Sequence, residues 1–134
     1  MNQPIYRVAI LGCRSRGSAA ARVYNAHPRT EVVGICDLVE DRLNKIGEEL
    51  GITARFTDLD EMIRHTKPDI VAIPTAPSLH APLALKVLEH GVNIEVEKPM
   101  GMDLIETDSV MRKAVEQNVQ VAVHHQWRLN LVSV

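Results

Sequence analysis

Several residue types are scarce in this chain, and each scarcity excludes a class of protein. Aromatic residues make up only 3% of the 134 positions, too few for the base-stacking platforms of proteins that bind single-stranded nucleic acids. The two cysteines exclude a disulfide framework and fit a reducing compartment. No apolar run approaches the roughly 20 residues that span a bilayer, and no signal-peptide stretch opens the chain. We expect a soluble cytoplasmic protein that binds neither nucleic acid nor membrane.

The charge is small in sum but uneven along the chain. The formal net charge is −2, yet residues 1–30 contain five arginines and no carboxylate. Residues 31–61 reverse this pattern, with nine acids and three basic residues. One interpretation is a set of solvated helix faces. The other is that the arginine-rich first thirty residues face a polyanion such as a pyrophosphate.

Length and patterning predict one domain in which short apolar runs alternate with helical segments. Hydrophobic residues make up 46% of the chain, an ordinary share for a folded domain of this size. The expected strands are Tyr6–Leu11, Glu31–Cys36, Ala54–Phe56, Asp69–Ile73, Val92–Val96 and Val119–His124, and the expected helices are Ser18–Ala26, Val39–Leu50, Leu59–His65, His80–His90 and Asp103 to about Asn118. This alternation predicts an α/β fold with a doubly wound, mostly parallel six-stranded sheet. Ligands bind such sheets beyond the carboxyl ends of the strands.

The first of these strand ends carries a glycine loop. The segment Gly12-Cys13-Arg14-Ser15-Arg16-Gly17 has the spacing G-x-G-x-x-G of dinucleotide-binding loops, with Arg14 in place of the middle glycine. Such a loop turns tightly at its first glycine and presents a helix N-terminus to the pyrophosphate. The alternative is a turn glycine and a packing glycine without a ligand. Two outcomes are open for Arg14: its Cβ crowds the phosphates, or its guanidinium group binds them.

Asp37 directly follows the second strand, twenty residues after Gly17. An acid at this position hydrogen-bonds the adenosine ribose hydroxyls of NAD. The competing interpretation is a capping box, because Glu40 follows Asp37 at the spacing of that motif. Asp37 favours NAD as the cofactor, whereas Arg42 and Arg14 leave NADP open.

The fifth strand ends in Glu95-Val96-Glu97-Lys98-Pro99. Proline stops strand pairing, so Lys98 is expected at the carboxyl edge of the sheet. A lysine there can donate to a substrate hydroxyl or assist proton transfer. The alternative is an ordinary exposed lysine.

Two further pairs of residues carry weaker signals. His124 and His125 are adjacent on an expected strand and therefore point to opposite faces, so we expect no metal site there. Cys13 and Cys36 end neighbouring strands and are expected to be small buried hydrophobic residues.

Together these residues resemble the Gfo/Idh/MocA oxidoreductases, typified by glucose-fructose oxidoreductase and inositol dehydrogenase. The resemblance rests on the glycine loop, Asp37, residues 75–91 and Glu97-Lys98-Pro99. It implies an NAD(P)-binding Rossmann fold that takes part in hydride transfer to or from a sugar-like or polyol substrate. By this resemblance the glycine loop, Asp37 and Thr75 contact the cofactor, and His80 and Glu97 lie along its nicotinamide side. Lys98 reaches the nicotinamide and the substrate, and residues 126–128 line the active site.

The sequence also departs from this family pattern. Arg14 replaces a glycine, and Pro77 stands where many relatives carry asparagine. Relatives continue into an α/β domain that supplies a catalytic Asp/His pair, so we expect this chain, a truncated form or a fragment, to bind cofactor with little or no turnover. The sixth-strand side is expected to favour self-association. Two alternatives remain: a non-catalytic nucleotide-binding or interaction module, which Arg14 favours, and an S-adenosylmethionine-dependent methyltransferase, against which Glu97-Lys98-Pro99 argues.

Overall fold

Six parallel strands form a single sheet, in the spatial order Arg55–Phe56 (β3), Thr30–Cys36 (β2), Tyr6–Leu11 (β1), Ile70–Ile73 (β4), Asn93–Glu97 (β5) and Val121–His124 (β6). The computed structural model describes residues 3–129. Its elements in chain order are β1 (Tyr6–Leu11), α1 (Ser15–Ala26), β2 (Thr30–Cys36), α2 (Glu40–Leu50), β3 (Arg55–Phe56), α3 (Leu59–Thr66), β4 (Ile70–Ile73), α4 (Pro77–Leu88), β5 (Asn93–Glu97), α5 (Leu104–Gln117), β6 (Val121–His124) and a 3-10 helix (Gln126–Leu129). The doubly wound α/β sheet predicted from the sequence is confirmed.

The buried residues of the central strands β1 and β4 are apolar because both faces of the sheet are covered there. Val8 and Ile10 of β1 belong to the hydrophobic cluster that contains residues of α1 and α2. Ala9 and Leu11 belong to the cluster that contains residues of α3, α4 and α5. Successive residues of a strand point to opposite faces, so a strand buried on both sides shows no polar alternation.

Helix boundaries differ from the sequence predictions mainly at the N-termini. α1 begins at Ser15 rather than Ser18, and α4 begins at Pro77 rather than His80. Proline is well suited to the first turn, where its missing N–H has no intrahelical partner to lose. The C-terminal end of α2 matches its prediction, because Gly51 caps the helix in the left-handed conformation at φ 68°.

The register of the sheet brings the candidate residues to one edge. Leu11 pairs with Cys36, and Ile73 pairs with Val96. The segments that follow β1, β2, β4 and β5 therefore lie side by side at the carboxyl edge. Within residues 3–129, no helix is long and apolar enough to cross a membrane.

Candidate functional site

The glycine loop between β1 and α1 requires both of its glycines. Gly12 has φ +110°, which other residues rarely adopt, and a Cβ there would lie 2.9 Å from Thr75 Cγ2. A Cβ on Gly17 would overlap the carbonyl oxygen of Gly12. The Gly12 N–H donates to the Cys36 carbonyl at 2.8 Å. These contacts match the tight turn and close helix–strand packing of the dinucleotide loop.

Arg14 takes the place of the middle glycine without backbone strain. It has φ −70° and ψ −172°, precedes the first turn of α1 and has an exposed side chain. No side chain caps this end of α1 in the described chain, and its first turn contains no acid. The first N–H groups of a helix lack intrahelical partners and carry partial positive charge. This end of α1 is therefore suited to an anion.

Asp37 connects the end of β2 to the glycine loop. Its Oδ2 accepts from the Cys13 N–H at 2.8 Å, and its Oδ1 accepts from the Val39 N–H at 2.9 Å. Arg42 Nη1 also lies 3.3 Å from Oδ1. The capping-box interpretation is wrong, because the residue that precedes α2 is Val39 and the helix begins at Glu40. A carboxylate has about four acceptor positions, so about one remains for a ribose hydroxyl.

His80 is fully buried and joins two loops of the carboxyl edge. Its Nδ1 lies 2.6 Å from the Pro99 carbonyl oxygen, and its Nε2 lies 3.0 Å from the Thr75 carbonyl oxygen. Both partners can only accept, so the ring nitrogen that carries the proton donates to the carbonyl it faces. The ring therefore lies behind the loops after β4 and β5 rather than at the open edge where a cofactor contact was expected.

Three buried oxygens at this edge have no hydrogen-bond partner within residues 3–129. They are the Thr75 Oγ1, the Glu97 Oε1 and the Gln126 Oε1. The Glu97 side chain is only 10% exposed, and its other oxygen lies 3.8 Å from His124 Nδ1. Buried polar atoms without partners are rare in folded proteins and call for an explanation such as a ligand. The family resemblance places Thr75 and Glu97 along the cofactor, and Gln126 in the segment that lines the active site.

Lys98 is exposed and lines a cavity of about 340 Å³ with residues 125–128. The structure thus brings Lys98 together with Gln126, Trp127 and Arg128. Within the part of the chain that the structure describes, no group of three His, Cys, Asp or Glu residues is arranged to hold a metal ion.

A polar network on the α1 side of the sheet was not predicted. The Tyr24 hydroxyl donates to Glu95 Oε2 at 2.5 Å, and His124 Nδ1 lies 3.0 Å from Glu95 Oε1. Burial and the neighbouring Glu95 carboxylate raise the pKa of Tyr24. Tyr24 and Glu95 are 71 positions apart, and neither belongs to a motif. No sequence signal could have paired them before the topology was known.

The two cysteines are buried, Cys13 within the glycine loop and Cys36 at the end of β2. Burial, with a smaller contribution from Asp37, raises the pKa of the Cys13 thiol to about 12. Burial also raises the pKa of the Cys36 thiol to about 12. They are free thiols, and their burial confirms the expectation of small hydrophobic residues.

The glycine loop, the uncapped N-terminus of α1 and the acid after β2 define a dinucleotide-binding Rossmann domain. The chain belongs to the Gfo/Idh/MocA family. The family model described as "Oxidoreductase family, NAD-binding Rossmann fold" matches residues 6–125. This match confirms the family resemblance seen in the sequence and identifies NAD as the cofactor of the family. The methyltransferase alternative is left without support.

Known proteins with similar sequence or structure include sugar-related enzymes. The chain is 31% identical over 114 residues to a scyllo-inositol 2-dehydrogenase (NAD(+)) of Bacillus subtilis, covering 84% of this chain and 33% of the relative. It is 33% identical over 114 residues to a glycosyl hydrolase family 109 protein of Akkermansia muciniphila, covering 78% of this chain and 24% of that relative. It shares the fold of the WlbA dehydrogenase from Chromobacterium violaceum in complex with NADH and UDP-GlcNAcA, with a TM-score of 0.92 and 24% identity over 99% of this chain and 39% of that one. The chain thus spans about a third or less of the curated relatives' length.

Proposed function

We propose that this chain binds NAD across the carboxyl edge of its sheet as the cofactor domain of a sugar or polyol oxidoreductase. The observation that carries the proposal is the uncapped N-terminus of α1 beside a glycine loop in which Gly12 and Gly17 cannot be replaced without a clash. Backbone N–H groups of Ser15 and Arg16 would hold the pyrophosphate there. Cys13 contributes its backbone to the loop and its N–H to the Asp37 carboxylate.

The remaining candidate residues extend along the edge from the adenosine to the nicotinamide. Asp37 has an acceptor position for a ribose hydroxyl. On the other side, the unpartnered Thr75 Oγ1 and Glu97 Oε1 offer hydrogen-bond partners to the nicotinamide half. His80 acts through the two loops that it joins, as a positioning residue.

When bound, the cofactor supplies the redox chemistry, and the protein supplies orientation. Lys98 Nζ would donate to the substrate oxygen and thereby orient the carbon that exchanges a hydride with nicotinamide C4. Its exposed position beside residues 126–128 leaves room for a sugar-like molecule. Because the chain spans a third or less of its relatives, we expect cofactor binding with little or no turnover from these 134 residues.

Cofactor binding is tested by isothermal titration of the chain with NAD and NADH. Ser15→Glu places a carboxylate in the first turn of α1, where it favours the helix but repels a pyrophosphate. The dissociation constant is expected to rise by about tenfold or more. Asn25→Glu puts the same charge at the other end of α1 and should leave binding unchanged. Absence of saturable binding by the unmodified chain, or equal binding by Ser15→Glu, refutes the proposal.

We also infer a cytoplasmic location, no nucleic-acid partner and self-association through the sheet edge at β6. Free buried thiols support the location. The exposed residues Ala122 and His124 on the edge strand support self-association, because an edge strand presents unpaired backbone groups. A monodisperse monomer in light scattering would contradict the association.

A non-catalytic nucleotide-binding module remains the alternative. The argument for it is that Arg14 replaces the middle glycine of the loop. Because the backbone of Arg14 is unstrained, this replacement does not count against cofactor binding.

A further inference from the structure

The outer face of α5 is apolar, where a surface helix usually carries polar and charged residues. Leu104 is 85% exposed, and Ile105 and Val115 are each 78% exposed. The buried residues of the same helix are Val110 and Ala114. α5 therefore turns more apolar side chain toward solvent than toward the core. Large apolar side chains grouped on a surface mark a place where another molecule binds.

The outer face of α2 shows that the fold itself does not require an apolar surface. Every exposed residue of α2 is polar, as this set shows: Glu40, Asp41, Asn44, Lys45, Glu48 and Glu49. Both helices pack against the same sheet, yet only α2 has the usual polar outer face. The apolar residues of α5 therefore need an explanation of their own, and a partner provides one.

The exposed residues of α5 lie along one side of the helix. Positions 104, 108, 111 and 115 follow one another at intervals of four, three and four residues, which places them in one row. Met111, the third of them, is 46% exposed. At about 1.5 Å per residue, the row is roughly 16 Å long. We call its apolar members Leu104, Met111 and Val115, with the adjoining Ile105, the α5 stripe.

Two opposite charges lie in the middle of the α5 stripe. Arg112 Nε lies 2.5 Å from Asp108 Oδ2, and both side chains are more than half exposed. Asp108 and Arg112 stand two residues on either side of position 110. Ile105 and Val115 stand five residues on either side of the same position. This face of α5 is therefore apolar at both ends and oppositely charged about its centre.

Such a face is complementary to itself when two α5 helices run in opposite directions and cross at position 110. Asp108 of one copy then lies beside Arg112 of the second copy, and the two-fold axis repeats this pair. Ile105 of one copy lies beside Val115 of the second copy. A two-fold interface requires this kind of match, because both copies use the same patch. A parallel arrangement would instead bring like charges together, which is unfavourable.

We propose that the α5 stripe binds the α5 stripe of a second copy of this chain, with the two helices antiparallel. The proposal goes beyond the proposed function, because it needs no cofactor, and it concerns a different element from the edge strand β6. One face of one helix is smaller than the roughly 800 Å² per partner of a standard interface. The association is therefore expected to depend on protein concentration.

Sedimentation velocity of the 134-residue chain over about a hundredfold range of concentration tests the proposal. Val115→Lys places a charge on the α5 stripe and should raise the dissociation constant of the dimer by about tenfold or more. Ile5→Lys is the matched control, since it makes the same kind of change at an exposed apolar residue that precedes β1. It should leave the dissociation constant unchanged. Circular dichroism verifies that each variant is folded.

Charge reversal tests the antiparallel orientation. Asp108→Arg and Arg112→Asp each place like charges side by side at the two-fold axis, so each variant alone should associate about tenfold more weakly. An equimolar mixture of the two variants presents opposite charges across the axis. It should form mixed dimers about as strongly as the unmodified chain forms its own dimer. Native mass spectrometry separates mixed from unmixed dimers by their masses.

Several results would overturn the proposal. A monodisperse monomer at every concentration removes the dimer itself. Association of Val115→Lys as strong as that of the unmodified chain assigns the dimer to another surface, such as the β6 edge. A mixture that associates no more strongly than either charge-reversed variant alone excludes the antiparallel pairing. None of these results touches the proposed function, which the NAD titration tests separately.

Discussion

Replacing Asp37 by alanine removes the carboxylate that connects β2 to the glycine loop. The side chain accepts from the Cys13 N–H at 2.8 Å and from the Val39 N–H at 2.9 Å. After the substitution, water can reach the N–H of the exposed Val39. The N–H of Cys13 belongs to a residue that is 5% exposed and is left without an acceptor. The loop therefore loses its bond to the Asp37 side chain, while the Gly12 N–H still donates to the Cys36 carbonyl of β2.

The magnitude follows from the two backbone bonds. A hydrogen bond to a charged group contributes about 1.5–3 kcal/mol, and a buried donor left unsatisfied costs about 1–3 kcal/mol. Arg42 adds little, because its distance of 3.3 Å is long and its side chain is 35% exposed. We expect the free energy of unfolding to fall by about 2–4 kcal/mol in Asp37→Ala. Asp37→Asn keeps one acceptor oxygen and should lose about half as much.

Urea unfolding followed by far-ultraviolet circular dichroism measures this difference. Trp127 is exposed, so its fluorescence is a poor reporter of the core. Asp41→Ala is the matched control, since Asp41 is an exposed acid in the first turn of α2 and contributes only about 0.3–1 kcal/mol through the helix dipole. A loss in Asp37→Ala no larger than in Asp41→Ala would refute the role of Asp37 in holding the loop.

Two further predictions concern buried titratable groups. In His80→Leu the carbonyls of Pro99 and Thr75 lose their contact with the buried ring, so the free energy of unfolding should fall by about 1–3 kcal/mol; an unchanged urea midpoint would show that the contacts of His80 contribute nothing. The thiols of Cys13 and Cys36 have pKa values raised from 9.0 to about 12, so their ionisation opposes folding. The contribution of the buried, protonated thiols to the free energy of unfolding is complete below pH 9 and declines as the pH rises toward 12. Urea midpoints should accordingly fall as the pH rises above 9, and less so in Cys13→Ala/Cys36→Ala; equal declines in both proteins would contradict this cause.

Most of the fold could be predicted because its signals are local. The bounds of β1 match the prediction residue for residue, since the apolar run ends at a glycine. The start of α1 was predicted three residues late, because a glycine in a first turn is a poor helix former. Gly17 is tolerated there because it packs against the Gly12 carbonyl, and a contact between two glycines cannot be read from helix propensity.

The candidate site was predictable in its composition but not in its bonding. Spacing placed Asp37 correctly after β2, yet the Cys13 N–H that it accepts is fixed by the pairing of β1 with β2. Likewise, His80 belonged to a recognisable segment, but only the folded chain shows that both of its ring nitrogens face carbonyl oxygens. Long-range hydrogen bonds depend on topology, and a single sequence does not contain them as a pattern.

The two carbonyl contacts of His80 have a consequence for chimeric proteins. Loops at the carboxyl edge of such sheets are natural units to exchange between relatives, because they lie at the surface and carry function. Here the loop at Thr75 and the turn at Pro99 share one buried ring, so they form a single module despite being more than twenty residues apart. A graft that transfers the Lys98 turn should therefore also carry residues 75–80, or the transplanted lysine will lack the framework that orients it.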